Sequence, residues 1–248
     1  MQPDRVKKAC RFRRAFFLTG VLLVAACTGG SPLENREDVA ARVARDGGLE
    51  AVRLRAGPFE LQGYRRYAAP ASGQLTVFIE GDGLAWNAFG TAPSPDPTPR
   101  DPVALRIAAV DASANRLYLA RPCQYQQPAA LARCHYSYWT SHRFAEEVVA
   151  GYAAAIEAQA RGIGAGRIML VGYSGGGAVA ALVAPRLTGT VELLTIAAPL
   201  DHAFWTQEMK ISPMTGSLNP ADNAGRLATI PQVHFVAADA EIVPHSVT

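Results

Sequence analysis

Residues 168–177 read Ile168-Met169-Leu170-Val171-Gly172-Tyr173-Ser174-Gly175-Gly176-Gly177. The apolar start of this segment predicts a buried strand, and the alanine-rich residues that follow it, as far as Pro185, predict a helix. Between the two lies a G-x-S-x-G pattern, whose glycines at positions 172 and 176 leave room for a sharp turn. Ser174 is therefore predicted at the apex of a strand-to-helix turn.

Ser174 is the candidate nucleophile of the chain. A serine at such an apex holds its hydroxyl clear of the sheet, and the helix after it directs amide N–H groups, beginning with that of Gly175, at developing negative charge. A turn without a chemical role is the alternative, because the pattern is short and the chain has 22 glycines. The strand before the pattern and the helix after it favour catalysis.

The order of apolar runs predicts one α/β domain. Strand-like runs lie at 75–79, 116–120, 168–171, 191–196 and 233–237. Helical spacing links Phe144, Val148, Val149, Tyr152 and Ile156, with Glu146 and Glu147 in the first turn. Strands that alternate with helices predict a mostly parallel sheet with helices on both faces, which is a three-layer α/β fold.

Further segments carry a family resemblance. Thr76-Val77-Phe78-Ile79-Glu80-Gly81-Asp82-Gly83 is a strand that runs into a glycine turn, and Leu84-Ala85-Trp86 follows it. Two later segments are Arg121-Pro122-Cys123-Gln124-Tyr125 and Tyr138-Trp139-Thr140. Together with the Ser174 pattern, they resemble the α/β-hydrolase superfamily, and more narrowly its bacterial lipoprotein members. The resemblance covers residues 75–244.

The resemblance implies a serine ester hydrolase that forms an acyl-enzyme on Ser174. The backbone N–H groups of Gly175 and Asp82 would form its oxyanion hole, and a bare β-turn at 81–83 is the alternative. No metal and no organic cofactor are implied, and the expected substrate is a small-molecule ester. Transfer of the acyl group to an alcohol would use the same residues as hydrolysis.

The resemblance also places a catalytic acid after a late strand and a catalytic histidine after the acid. Asp239 follows the strand predicted at 233–237 and is the expected acid, with Asp201 as the alternative. His245 is the one histidine that follows Asp239 in the sequence. The predicted catalytic set is therefore Ser174, Asp239 and His245.

Three interpretations of the histidine stay open. His245 acts as the base from an unusual position, or the base lies beyond the sequence, or the protein no longer catalyses and is a binding or scaffold lipoprotein. We expect the second, because in the family a further strand and helix follow the acid. The domain is thus predicted to lack the last strand and helix of its fold.

The N-terminal residues are typical of an export signal. The first fourteen residues hold six bases against one acid, and an uncharged, mostly apolar run follows at 15–26. That run is shorter than the ~20 residues of a spanning helix. Val24-Ala25-Ala26-Cys27 resembles a bacterial lipobox, so residues 1–26 are predicted to be a signal peptide and Cys27 to carry lipid. An ordinary cleavable signal is the alternative.

The predicted anchor sets the domain limits and the location. Residues 27–55 are polar and broken by glycines, which predicts a tether, and residues 56–248 are the predicted hydrolase domain. The expected membrane contact is the lipid on Cys27. Thr28 after the cysteine implies, by the same resemblance, the periplasmic face of the outer membrane.

Cys123 and Cys134 remain once Cys10 and Cys27 are assigned to the signal and the lipid. In an oxidising periplasm such a pair is expected to form a disulfide that closes a short loop. The alternative is a zinc site built from these two cysteines, His135 and His142. The short Cys-Cys spacing of structural zinc sites is absent, which favours the disulfide.

Composition and charge exclude several classes of protein. A chain of 248 residues with 49% hydrophobic and 18% charged content fits one globular domain and is unlike a disordered chain. The net charge of +3 derives from the N-terminal basic block, so no nucleic-acid partner is expected. 

A substrate pocket is predicted from loops. The proline-rich segment 93–99 cannot join a helix or a central strand, so it is predicted to be a surface loop that gates the pocket. The aromatic residues that would line the pocket, or else belong to the core, are Trp86, Phe89, Trp139, Phe204 and Trp205.

Overall fold

The computed structural model describes residues 35–68, 73–238 and 242–247, with residue 245 described by its backbone alone. The helices in this part are α1 (Arg36–Asp46), α2 (Val103–Val110), α3 (Pro128–Leu131), α4 (Glu146–Gly162), α5 (Gly175–Val183), α6 (His202–Glu208) and α7 (Ala224–Leu227). The strands are β1 (Glu50–Ala56), β2 (Phe59–Arg66), β3 (Gln74–Ile79), β4 (Arg116–Leu119), β5 (Arg167–Tyr173), β6 (Thr190–Ile196) and β7 (Gln232–Phe235). Four short 3₁₀ helices lie at Tyr136–Trp139, Ala184–Arg186, Pro220–Asn223 and His245–Val247.

The strands form one mixed sheet with the order β1-β2-β4-β3-β5-β6-β7. β2 runs antiparallel to both of its neighbours, β1 and β4. The other pairs, from β4 across to β7, are parallel. Because the parallel strands point the same way, the segments that follow β3, β4, β5, β6 and β7 all leave the sheet at one edge.

Helices cover both faces of the sheet, which confirms the predicted three-layer α/β architecture. On one face Val77 and Ile79 of β3 belong to a core cluster that includes residues of α4 and α5. Phe78, the residue between them, belongs to the cluster on the other face, with residues of α1 and α2. Alternation along β3 therefore divides its side chains between two cores.

The five predicted strands correspond to β3 to β7, with ends that agree to within two residues, and the two predicted helices correspond to α4 and α5. In the predicted helix, Val148, Val149, Tyr152 and Ile156 are all buried. β7 pairs on one side with β6, and none of the described residues pairs with its other side. The expected absence of a last strand and helix stays a prediction.

The predicted tether is wrong from residue 36 onward. α1 is capped by Asn35, whose Oδ1 accepts a hydrogen bond of 2.6 Å from the N–H of Glu37. Its small apolar residues Ala40, Val43 and Ala44 are buried, and the charged residues between them hid the helical spacing. The following strand β1 pairs with β2 along its whole length. The folded domain therefore includes residues from Asn35 on, rather than starting at residue 56.

The proline-rich segment 93–99 is a loop, as predicted, but half of it is buried. Pro97, Thr98 and Pro99 are inaccessible to solvent, unlike residues of a free surface loop. The Nη1 of Arg36 donates to the carbonyl oxygens of Asp96 at 3.2 Å and Thr98 at 2.9 Å. The loop is thus fastened to α1.

The predicted disulfide is present between Cys123 and Cys134, which lie 11 positions apart with their Cα atoms 5.9 Å apart. Since both thiols are used in this bond, the alternative zinc site is excluded. The described residues contain no cluster of three or more metal-ligating side chains.

The predicted signal peptide (residues 1–26) and Cys27 lie outside the described residues. In the described part of the chain, none of the helices has the length and apolar character needed to cross a bilayer.

A substitution at Gly151 of α4 tests whether the β1–β2 hairpin packs on this helix. A Cβ at Gly151 would lie 2.7 Å from the carbonyl carbon of Ala56, at the end of β1. We expect Gly151→Ala to lower the free energy of unfolding by about 1–3 kcal/mol, because the collision outweighs the better helix propensity of alanine. Urea unfolding measures this change.

Gly162→Ala is the matched control on the same helix. A Cβ at Gly162 has no neighbour within 4 Å, so this change should leave the free energy of unfolding unchanged or raise it. Equal effects of the two changes would contradict the packing of the hairpin on α4.

Candidate active site

Ser174 lies at a strained turn between β5 and α5. Its backbone angles are φ 50° and ψ −127°, a left-handed conformation that residues other than glycine seldom adopt. The turn is held by the N–H of Ser174, which donates to the carbonyl oxygen of Ile196 at 2.8 Å, and by the N–H of Gly177, which donates to that of Ser174 at 2.8 Å. Backbone strain of this kind is common at reactive serines.

Glycines on both sides of Ser174 allow close contact between backbones. A Cβ at Gly172 would collide with the backbone of Gly177, and a Cβ at Gly176 would collide with the carbonyl oxygens of Ile79 and Glu80. The first contact closes the turn on itself, and the second fixes the turn against the end of β3. The spacing of glycines around Ser174 thus follows from the packing of two backbone segments.

The glycine turn after β3 lies directly beside Ser174. A Cβ at Gly81 would lie 3.3 Å from the Cβ of Ser174. The N–H groups of Asp82 and Gly175, predicted to form the oxyanion hole, have no acceptor among the described residues. Both amides are therefore available to a ligand, and their role as oxyanion donors stays a prediction.

The side chain of Asp82 is held by two buried arginines. Its Oδ1 accepts from Nη1 of Arg121 at 3.0 Å, and its Oδ2 accepts from Nη1 of Arg143 at 2.6 Å. Burial alone would raise the pKa of Asp82, but the positive charges of Arg143 and Arg121 outweigh it and lower this pKa below 3.8. The carboxylate is thus ionised and carries two compensating charges.

The carboxylate of Asp82 also limits what can occupy position 175. A Cβ at Gly175 would collide with this carboxylate, so the first residue of α5 must be a glycine if Asp82 is to keep its place. Arg121 follows β4, and Arg143 precedes α4. Three connections at the same edge of the sheet are therefore joined by one ionic cluster.

Glu80, which precedes the glycine turn, is held by hydrogen bonds and not by the ion pairs that hold Asp82. Its Oε1 accepts from the N–H of Gly81 at 2.9 Å and of Ala104 at 3.3 Å, and its Oε2 accepts from the hydroxyl of Tyr118 at 3.2 Å. Burial raises the pKa of Glu80 from 4.5 to about 7, because these hydrogen bonds offset only part of the loss of hydration. The described residues give Glu80 no basic partner, so near neutral pH it exchanges between its two protonation states.

Ser174 opens into a cavity of about 540 Å³, which we call the cleft; its lining includes Asp82, Trp86, Arg143, Trp205 and Val243. Of the aromatic residues predicted for a pocket, Trp86 and Trp205 line the cleft. Trp139 instead belongs to the core, with its Nε1 donating to the carbonyl oxygen of Ser94 at 3.1 Å. Pro99 of the proline-rich loop also borders the cleft.

Four of the five histidines have described side chains, and none of these lines the cleft. His234 bonds to Thr195 within the sheet, and burial lowers its pKa. The ring of His202 is buried and bonds to the carbonyl oxygen of Leu218. His142 bonds to the neighbouring Ser141, and His135 is exposed.

The fifth histidine, His245, lies in the 3₁₀ helix His245–Val247, and its side chain is outside the described part. Two residues earlier, Val243 lines the cleft. Two residues later, the carbonyl oxygen of Val247 accepts from the N–H groups of Leu200 at 2.9 Å and Asp201 at 3.1 Å. The backbone of His245 thus lies between the cleft and the segment after β6.

The two candidate acids have different outcomes. Asp239, the expected acid, lies outside the described residues. Asp201, the alternative, caps α6: its Oδ1 accepts from the N–H of Phe204 at 3.1 Å and from Nδ2 of Asn219 at 2.9 Å. The hydrogen bond from Asn219 lowers the pKa of Asp201, so this carboxylate is ionised and in structural use.

Comparison with solved structures finds similar folds at low sequence identity. A Pyrococcus horikoshii acylaminoacyl peptidase matches with a TM-score of 0.50 and 14% identity, over 80% of this chain and 33% of the peptidase. The chain thus spans about a third of the length of that peptidase. The chain has an α/β-hydrolase fold.

Two other solved structures match less well. A Pyrococcus furiosus esterase has a TM-score of 0.49 and 10% identity, over 82% of this chain and 75% of the esterase. A bacterial membrane phospholipase A, described as a virulence factor, has a TM-score of 0.43 and 15% identity, over 85% of this chain and 77% of the phospholipase. No family model and no curated protein matches the sequence.

Within this α/β-hydrolase fold, the ionic cluster of Asp82, Arg121 and Arg143 was not predicted. Arg121 directly follows a buried strand at the edge of the sheet where Ser174 lies, and this position was a usable signal. Arg143 had no such signal, because it reaches Asp82 from 61 positions away in the sequence. The pKa of Glu80 could not be predicted either, since it depends on burial.

Glu80 makes the stability of this α/β-hydrolase fold depend on pH. Between pH 4.5 and about 7 the folded protein holds a proton on Glu80 that the unfolded chain releases, so rising pH destabilises the fold. Compared with Glu80→Gln, the wild-type protein should lose on the order of 3 kcal/mol of unfolding free energy across this window. Urea unfolding of both proteins at pH 4.5 and pH 8 measures the change.

Glu208→Gln, at an exposed position at the end of α6, is the matched control and should track the wild-type protein at both pH values. A difference between the wild-type protein and Glu80→Gln that is the same at both pH values would contradict the raised pKa of Glu80.

Proposed function

We propose that this protein is a serine hydrolase that cleaves carboxylic esters through an acyl-enzyme on Ser174. The observation that carries the proposal is the strained backbone of Ser174, with φ 50°, at a turn that opens into a cleft of about 540 Å³. A backbone conformation of this kind costs about 1–3 kcal/mol, and it persists only where the surrounding structure enforces it. Here the surroundings enforce it at a nucleophilic side chain.

In the proposed mechanism, the hydroxyl of Ser174 attacks the acyl carbonyl, and its proton passes to a histidine. Negative charge develops on the carbonyl oxygen, and the free N–H groups of Gly175 and Asp82 would bind it, aided by the N-terminal end of α5. The C–O bond to the alcohol then breaks, with a proton returned to the leaving oxygen. Water releases the acyl group by the same steps.

The two arginines beside Asp82 support this assignment. A lone carboxylate against Gly175 would repel the negative charge of the oxyanion. Because Arg121 and Arg143 both pair with it, the cluster carries one net positive charge. The field at the proposed oxyanion hole is therefore favourable.

Among the residues of this sequence, we assign the base to His245 and the acid to Asp239, with Asp201 as the alternative acid. The order of Ser174, acid and histidine along the chain supports this choice. So does the backbone of residues 242–247, which passes from the cleft to the segment beside Asp201. None of the four histidines with described side chains lines the cleft.

We also propose that the protein is lipid-anchored through Cys27 at the periplasmic face of the outer membrane. The lipobox-like sequence supports this proposal. Seven residues lie between Cys27 and Asn35, and the eight Cα-to-Cα steps that join the two residues span at most about 28 Å. Such an anchor would hold the folded domain at the membrane.

The test is hydrolysis of 4-nitrophenyl esters by the purified protein. We expect Ser174→Ala to lower kcat by about 10³-fold or more, because it removes the nucleophile. Ser137→Ala, which removes a serine hydroxyl outside the cleft, should leave kcat unchanged. Folded wild-type protein without turnover would contradict the proposal and favour a binding lipoprotein.

The same assay assigns the base and the acid. His245→Ala should lower kcat to a similar extent as Ser174→Ala, since a serine without its base is a poor nucleophile. Of Asp239→Asn and Asp201→Asn, the change at the true acid should lower kcat by about 10²–10⁴-fold. Full activity of His245→Ala would show that another group is the base.

A further inference from the structure

A second cavity adjoins the cleft. It has a volume of about 740 Å³, and we call it the side cavity; its lining includes Trp86, Tyr136, Arg143, Trp205, Lys210 and Met214. Trp86, Arg143 and Trp205 line both the cleft and the side cavity. The cleft and the side cavity are therefore neighbours that share these three side chains.

The charges around the side cavity are all positive in the described part of the chain. Its charged lining residues are Arg143 and Lys210, and no Asp or Glu lines it. Lys210 forms no salt bridge with any of the described residues. The cleft differs, because its lining includes Glu80, Asp82 and Asp101. The described charged residues that line the side cavity are therefore all basic, whereas those that line the cleft include acids.

Arg143 is buried and keeps hydrogen-bonding capacity. Its side chain is 9% exposed, its Nη1 donates to Asp82 and its Nε donates to the carbonyl oxygen of Thr140 at 2.7 Å. Its Nη2 has no acceptor among the described residues. Since a guanidinium has five N–H donors, the donors on Nη2 remain for a ligand.

Asp82 does not neutralise Arg143 completely, because it is shared with Arg121. Two guanidinium groups, with side chains 3% and 9% exposed, share one carboxylate, so the three side chains together keep one net positive charge. An anion that binds beside Arg143 would be attracted by this net charge. Lys210 at the side cavity adds to the attraction.

We propose that the side cavity is a subsite for an anionic group, a carboxylate or a phosphate, carried by the substrate. This inference rests on the proposed function and narrows its substrate class to esters with an anionic group beyond the scissile bond. Trp86, Tyr136 and Trp205 supply apolar walls for the part of the substrate between ester and anion. Arg143 and Lys210 bind the anion.

Binding can be tested without catalysis, because two of the three tryptophans line the side cavity. The probes are hexyl phosphate, hexanoate and hexanol, followed by tryptophan fluorescence of the full-length protein. We expect at least one of the two anions to bind about tenfold or more tightly than hexanol. The tighter anion identifies the preferred group. Equal affinity of all three probes would overturn the proposal.

Lys210→Glu is the informative variant, since Lys210 is exposed and its replacement should not affect folding. It should weaken binding of the preferred anion about tenfold or more and leave hexanol unaffected. Arg161→Gln, at a side chain 69% exposed on α4, is the matched control and should leave binding of the anion unchanged. Unaltered anion binding by Lys210→Glu would overturn the proposal.

The two proposals fail in different ways. Selective anion binding without ester hydrolysis would leave the subsite in place and remove the proposed function. Ester hydrolysis without selective anion binding would support the proposed function and overturn the anionic subsite.

Discussion

The arrangement of the site depends on contact between two backbone segments with no side chain between them. Gly176 of α5 lies against the carbonyl oxygens of Ile79 and Glu80, where β3 ends. This contact fixes the Ser174 turn relative to the glycine turn at 81–83, and thereby relative to both predicted oxyanion donors. Any side chain at position 176 would separate the two turns. The close packing of the two backbone segments therefore explains the glycine pattern that identified Ser174 in the sequence.

Two acidic side chains lie beside that contact, and they avoid excess negative charge by different means. Asp82 is ionised and paired with Arg121 and Arg143, so its surroundings carry net positive charge. In the described part of the chain Glu80 has hydrogen-bond donors but no basic partner, and burial raises its pKa to about 7. The first arrangement favours negative charge that develops on a bound ester, and the second reduces the negative charge already present beside it. They also link the chemistry of the site to the positive side cavity through Arg143.

The sequence predicted those parts of the fold that depend on local pattern. Periodicity was enough for β3 to β7, α4 and α5, and the glycine spacing was enough to place Ser174. Periodicity did not reveal α1 and β1, because their apolar residues are separated by charged ones. Arg143 was not predictable, because its role depends on a contact with Asp82 from a distant part of the chain. Asp239 and the side chain of His245 lie outside the described residues, so their roles stay predictions.

The most direct test of the central claim is reaction of the folded protein with a fluorophosphonate, followed by peptide mass spectrometry. Such reagents form a covalent bond only with an activated nucleophile. We expect a single adduct, on Ser174, that does not form in Ser174→Ala. An adduct on another residue, or folded protein that forms no adduct, would contradict it.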